Sequence, residues 1–112
     1  MPWLSGPQNL TLDSMEFTIK ENSWIARLAA WKLHCQKVAV VLGKTIHLYH
    51  VSKNDFLRDE EWVKHEMCHI RQFKKYGFLA FIFRYLWESL RVGYHNNRFE
   101  AEAREAQKFR KP

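Results

Sequence analysis

The sequence predicts an α+β fold, and three observations carry that expectation. Met15, Phe17 and Ile19 alternate with polar neighbours, the period of a half-buried strand. The apolar run Lys37-Val38-Ala39-Val40-Val41-Leu42 is followed by Gly43-Lys44 and then by Thr45-Ile46-His47-Leu48-Tyr49. This reads as a hairpin closed by a two-residue turn with glycine first. From residue 58 onward the pattern changes to helical spacing, with a terminator at Gly77 and a turn from Gly93.

Residues 1 to 14, rich in Pro, Gly, Ser and Asn, read as irregular, and the strand over Met15–Ile19 follows them. A first helix is expected from an Asn22 or Ser23 cap to about Leu33, because Trp24, Ile25, Leu28, Ala29 and Trp31 recur with helical spacing; its tryptophans are expected to be buried. After the hairpin, Ser52 to Arg58 is a connection. A second helix begins near Arg58 or Asp59, where Asp59, Glu60 and Glu61 complement the positive end of the helix dipole, and stops at Gly77 after Lys74-Lys75-Tyr76. Trp62, Val63, Met67, Ile70 and Phe73 form its apolar stripe.

Phe78 to Leu90 is apolar on nearly every face. The run is shorter than the roughly 20 residues a bilayer requires and is interrupted by Arg84 and Glu88, so a buried connecting helix is expected. Peripheral membrane or protein contact through residues 78–90 is the other reading. A turn at Gly93-Tyr94-His95-Asn96-Asn97 precedes a last helix, Phe99 to Phe109.

A length of 112 residues suits one domain, and 46% hydrophobic residues with five Trp and eight Phe suit a globular chain rather than a disordered one. The net charge of +6 is scattered rather than gathered into a tract, so a solvated basic surface is expected and no specific nucleic-acid partner. Cys35 and Cys68 lack the spacing of a disulfide scaffold, and Cys68 reads as a small packing residue. The N-terminus has neither a basic n-region nor an apolar run, which makes the cytoplasm the default location.

The tightest chemical constraint is His65-Glu66-Met67-Cys68-His69, an H-E-x-x-H pattern within the second helix. Residues four apart share a helix face, so both imidazoles can address one metal ion, and Glu66 projects from the same side. Close to the metal but wrongly placed to be a ligand, that carboxylate suits the removal of a proton from water, the general-base arrangement of zinc proteases.

Catalytic zinc takes three protein ligands and leaves one position open. A metzincin histidine six residues after His69 is excluded, because that residue is Lys75. The third ligand must then come from the chain after residue 77. Glu100 is the choice, since it opens a helix as Glu100-Ala101-Glu102-Ala103, where small alanines permit close approach; Glu102 and His95 remain alternatives.

Both His65-Glu66-x-x-His69-x-x-Gln72 and Asn97-Arg98-Phe99-Glu100-Ala101-Glu102-Ala103 resemble motifs of the gluzincin class of zinc metallopeptidases, including the very short minigluzincins. The likeness spans roughly residues 38 to 109. It implies a zincin-like fold over residues 1–112: a small twisted sheet, the metal helix, a connecting apolar helix and a C-terminal helix delivering Glu100. It also implies a zinc cofactor and a peptide or protein substrate, with Thr45, Ile46, His47, Leu48 and Tyr49 as an edge strand on which the substrate pairs. Tyr94, His95 and Arg98 are available by type to stabilise an oxyanion.

In minigluzincins terminal segments can fill the cleft, so the basic tail Lys108–Pro112 or a neighbouring molecule is expected to cover that strand and hold the enzyme latent. One departure is Arg104, which stands where many relatives carry an acceptor for a ligand histidine; arginine cannot accept a hydrogen bond, so that support must come from elsewhere. Two other classes fit the sequence. One is a zinc-binding interaction module without turnover, and the other a basic protein of membrane surfaces or nucleic acid.

Overall fold

Residues 8–12 and 15–108 are described by a computed structural model, which shows an α+β architecture with a four-stranded mixed sheet and five helices among those residues. The chain divides into two compact units, one ending at Arg58 and the other starting at Asp59.

The first unit holds the sheet. Strands β1 (Gln8–Leu12), β2 (Met15–Lys20), β3 (Val38–Leu42) and β4 (Thr45–Tyr49) lie in the order β1-β2-β4-β3. Alternation puts Phe17 and Ile19 of β2 inside, as expected of a period-two pattern. Gly43 takes φ +66 in the turn between β3 and β4, and the two strands pair antiparallel from Val38 opposite Tyr49 to Leu42 opposite Thr45. Helix α1 (Trp24–Leu33) is capped by Ser23, whose hydroxyl accepts from the Ile25 N–H at 3.2 Å.

Several expectations need correction here. Residues 8–12 are not irregular: they pair with β2 in register from Gln8 opposite Ile19 to Leu12 opposite Met15. Leu10 and Leu12 alternate with Thr11, a pattern too short to declare a strand alone, and pairing with β2 completes it. The tryptophans of α1 are not buried, Trp24 being 67% and Trp31 73% exposed. The face that packs is Ala26 and Ala30, set against Val38, because small side chains let helix and strand approach closely.

The free edge expected along Thr45–Tyr49 is absent. β4 is an interior strand, paired with β3 over its length and parallel to β2 over Thr45–His47. The Leu48 carbonyl also accepts from the Ser23 N–H at 3.0 Å. With backbone groups satisfied on both sides, no substrate strand or covering segment can add there. Of the tail expected to cover it, residues 109–112 lie outside the described residues.

A short helix, α2 (Lys53–Arg58), occupies what reads in the sequence as a plain connection. The second unit is helical: α3 (Glu60–Tyr76), α4 (Phe78–Val92) and α5 (Arg98–Gln107). Asp59 caps α3, accepting from the Trp62 N–H at 3.1 Å. Gly77 ends it at φ +87, ψ 159, a region glycine alone enters freely. Of the expected stripe Val63, Met67, Ile70 and Phe73 are buried and Trp62 is half-buried, and Ala103 of α5 is fully buried.

Helix α4 is not a buried connector. Its inner face presents Phe81, Tyr85 and Glu88, and Phe81 lies in ring contact with Phe73, Tyr76, Tyr85 and Phe99. Its outer face leaves Leu79, Phe83, Leu86, Trp87 and Leu90 exposed. Among the described residues no helix is long and apolar enough to cross a membrane.

Candidate metal centre

Helix α3 carries His65 and His69 one turn apart, and the start of α5 supplies Glu100. That start is held by a dense set of caps. Asn97, fully buried, accepts from the Phe99 N–H at 2.8 Å and donates through Nδ2 to the Tyr85 carbonyl at 3.1 Å and to Ser89 Oγ at 2.9 Å. Glu88 accepts from the Arg98 N–H at 3.2 Å and from Arg91 at 3.0 Å. Together these fix α5 to α4 just before Glu100, so the carboxylate sits on a rigid element.

The three side chains converge. His65 Nε2 lies 3.1 Å from Glu100 Oε1, and His69 Nε2 lies 3.3 Å from Oε1 and 3.2 Å from Oε2. One ligand atom from each of the three residues falls within 4.8 Å of the others, a grouping able to hold a metal ion. The imidazole rings meet edge-on at 5.1 Å. Side-chain exposure is 17% at His65, 9% at His69 and 5% at Glu100, so the centre is reached from the His65 side.

The opposite ring nitrogens decide what the Nε2 atoms can do. Gln72 donates both amide hydrogens to pure acceptors, the Phe99 carbonyl at 3.1 Å and Glu102 Oε1 at 2.8 Å. Its Oε1 therefore faces His69 Nδ1, 2.8 Å away, and Nδ1 must carry the proton. Gln107 Oε1 lies 2.7 Å from His65 Nδ1. With Nδ1 protonated, each neutral imidazole directs a lone pair from Nε2 at the carboxylate of Glu100. Three acceptors facing one another repel unless protons or a cation lie between them.

The electrostatics of the bare centre say the same. Burial opposes charge on both histidines, yet the hydrogen bonds to Glu100 outweigh it, raising His65 and pushing His69 up to about 9. Burial would raise Glu100, but His65 and His69 hold its carboxyl far below the usual range. The pull of the Glu100 carboxylate thus favours positive charge between these three side chains, from protons or from a cation. The N, N, O donor set with one open position is that of catalytic zinc, so the residues fit the metal.

Glu66 stands outside the ligand group, fully within the protein, where burial pushes its carboxyl up to about 7 against the pull of His69 and His65. The alternatives weighed for the third ligand have other roles. Glu102 orients Gln72 and receives a long contact from Cys68 Sγ at 3.7 Å, and His95 offers its carbonyl to Arg104 at 2.7 Å. Buried Cys68 is a packing residue, as expected, its thiol pushed up to about 11 by burial.

Of the residues available for an oxyanion, Tyr94 and His95 are exposed and Arg98 lies over the Phe99 ring at 4.7 Å. The strand residues Thr45–Tyr49 belong to the first unit, where Ile46, His47 and Leu48 are buried and His47 Nδ1 bonds Ser23 Oγ at 2.7 Å.

The contacts of three side chains around this site escape sequence reasoning. Gln72 and Gln107 supply the acceptors that Arg104 cannot, and Tyr85 Oη donates to Glu100 Oε2 at 2.5 Å. For Tyr85 a signal exists: it shares a helix face with Phe81 and Glu88, and a tyrosine on an inner face needs a partner for its hydroxyl. For Gln107, 42 residues from His65, no local signal exists. No protein-family model matches the chain, and neither a curated protein nor a solved structure matches it.

Proposed function

We propose that this chain is a zinc-dependent metallopeptidase of the gluzincin type, with a zincin-like fold and the ligands His65, His69 and Glu100. The observation that carries the reading is the convergence of two imidazole nitrogens and one carboxylate within 4.8 Å, with Gln72 Oε1 facing the opposite nitrogen of His69. Zinc held there supplies Lewis acidity toward a peptide carbonyl and toward water.

The chain's own residues do the rest. Glu66 takes a proton from the attacking water as its oxygen bonds to the carbonyl carbon, and returns one to the amine as the C–N bond breaks. A carboxyl pushed up to about 7 by burial is matched to both tasks near neutral pH. Gln72 and Gln107 orient the imidazoles, and Tyr85 holds the Glu100 carboxylate.

One observation favours a second reading, a zinc-binding module without turnover: the Tyr85 hydroxyl is already committed to Glu100, and Arg98 to the Phe99 ring. Elemental analysis of the purified chain beside His69→Ala and Glu100→Ala, with peptide-library cleavage measured before and after chelation, tests both. One zinc per wild-type chain, lost in the variants, together with chelator-sensitive cleavage supports the peptidase. Zinc without cleavage selects the silent module, and no stoichiometric zinc ends both readings.

A further inference from the structure

Leu79, Phe83, Leu86 and Leu90 recur at i, i+4, i+7 and i+11 along α4, with Trp87 beside them, and all five are more than half exposed. A continuous apolar stripe turned to solvent is what monomeric proteins avoid. Its border is cationic. Arg84 and Arg91 each follow a stripe residue by one position, seven apart, so they edge the stripe on the same side.

Between Phe73 and Phe99 the chain carries five cations, Lys74, Lys75, Arg84, Arg91 and Arg98, and one acid. That acid, Glu88, is buried and paired with Arg91 and with the Arg98 backbone.

We propose that α4 docks in the plane of an anionic lipid surface, its five apolar side chains sunk among the acyl chains and Arg84 and Arg91 on the headgroups. An amphipathic helix with Trp, Phe and Leu on one side and arginines at the margin has the composition of an interfacial anchor. A 15-residue helix is too short and too charged to span a bilayer but suits lying on one.

A second copy is a poorer occupant. Two heptads fall short of a stable coiled coil, and pairing would bring arginines to the rim with no free acid on α4 to answer them. On the opposite face of the same helix Tyr85 touches Glu100. Docking would therefore hold the metal centre about one helix diameter, ~10 Å, from the lipid.

The test is sedimentation of the full chain with vesicles of phosphatidylcholine alone and of equal parts phosphatidylcholine and phosphatidylserine. The chain should bind the mixed vesicles, release as salt rises, and bind pure phosphatidylcholine weakly. Phe83→Ser with Leu90→Ser should lower the partition at least about tenfold, since each removes a side chain buried only on docking. Both positions are exposed, so the far-UV spectrum should be unchanged.

Arg84→Gln should narrow the difference between the two vesicle types. Failure to bind either vesicle, equal binding by the double variant, or loss on Trp24→Ser with Trp31→Ser instead would overturn the proposal. So would self-association without vesicles that Phe83→Ser with Leu90→Ser abolishes.

Discussion

Gln72 Oε1 lies 2.8 Å from His69 Nδ1, and the amide cannot be turned round because its nitrogen is spent on the Phe99 carbonyl and Glu102. A residue from the same helix, one turn beyond the proposed ligand His69, thus supplies the acceptor that Arg104 cannot. Gln72→Leu removes the acceptor and leaves the Phe99 carbonyl without the donor Gln72 supplied. Zinc affinity, measured by competition with a chromophoric chelator, should fall about 10- to 100-fold. Unchanged affinity would show that His69 is oriented by packing alone.

Glu66→Gln separates binding from chemistry. The amide keeps the shape of the carboxylate but has no basic oxygen of comparable strength, so zinc content should hold while turnover per bound zinc drops about 10²- to 10⁴-fold. Both quantities need to come from one preparation. Full turnover in the variant would remove Glu66 from the mechanism even with zinc in place.

Much of this site is legible locally. Asp59, the acids after it and Gly77 delimit α3, the i, i+4 spacing unites the histidines, and Ala103 marks where α5 can come close. What escapes reading depends on distant partners. β1 alternates over too few residues to declare a strand and is completed by pairing with β2, and β4 is interior because β2 joins it in parallel from a remote part of the sequence. In α1 and α4 both faces are apolar. Composition cannot choose between Ala26–Ala30 and the tryptophans, or between Phe81–Tyr85 and the Leu79–Leu90 stripe, since that choice depends on which surface the neighbouring elements complete.

The metal-free and zinc-loaded chains should respond to pH in opposite directions. Glu66 rises on folding from 4.5 to about 7, so its contribution to the metal-free fold is lost as pH climbs through that window. His69 rises from 6.5 to about 9, so the stability it adds is full below 6.5 and lost as pH passes 9. Glu100, held below its usual range, loses its contribution only in acid. The metal-free midpoint of thermal unfolding should therefore decline from mildly acidic pH to about 9. With zinc the trend reverses over the neutral range, because protons leaving the histidines free the lone pairs that bind metal. Parallel pH profiles with and without zinc would contradict the assigned ligands.

Tyr85 has two possible tasks, and one substitution tells them apart. Its hydroxyl donates to Glu100 Oε2 at 2.5 Å, while its ring packs beside Phe81, Phe99 and His69. Tyr85→Phe keeps the ring contacts and takes away only the hydroxyl, so any effect belongs to that hydrogen bond. If the bond holds the carboxylate for the metal, zinc affinity should fall about tenfold, as for other partners of metal-bound carboxylates, with kcat per bound zinc unchanged. The fold should lose about 1.5 to 3 kcal/mol, the usual worth of a hydrogen bond to a charged group. Alternatively the phenol leaves Glu100 during the reaction and donates to the developing oxyanion. Affinity would then hold while kcat dropped by 10²-fold or more, on the order of an oxyanion donor's contribution. Burial and the Glu100 charge push the phenol far above its ordinary pKa, so it donates in either role across the working range of pH. The existing bond to Glu100 makes the first outcome the expected one, and a loss of kcat at full zinc occupancy would reassign Tyr85 to the reacting carbonyl.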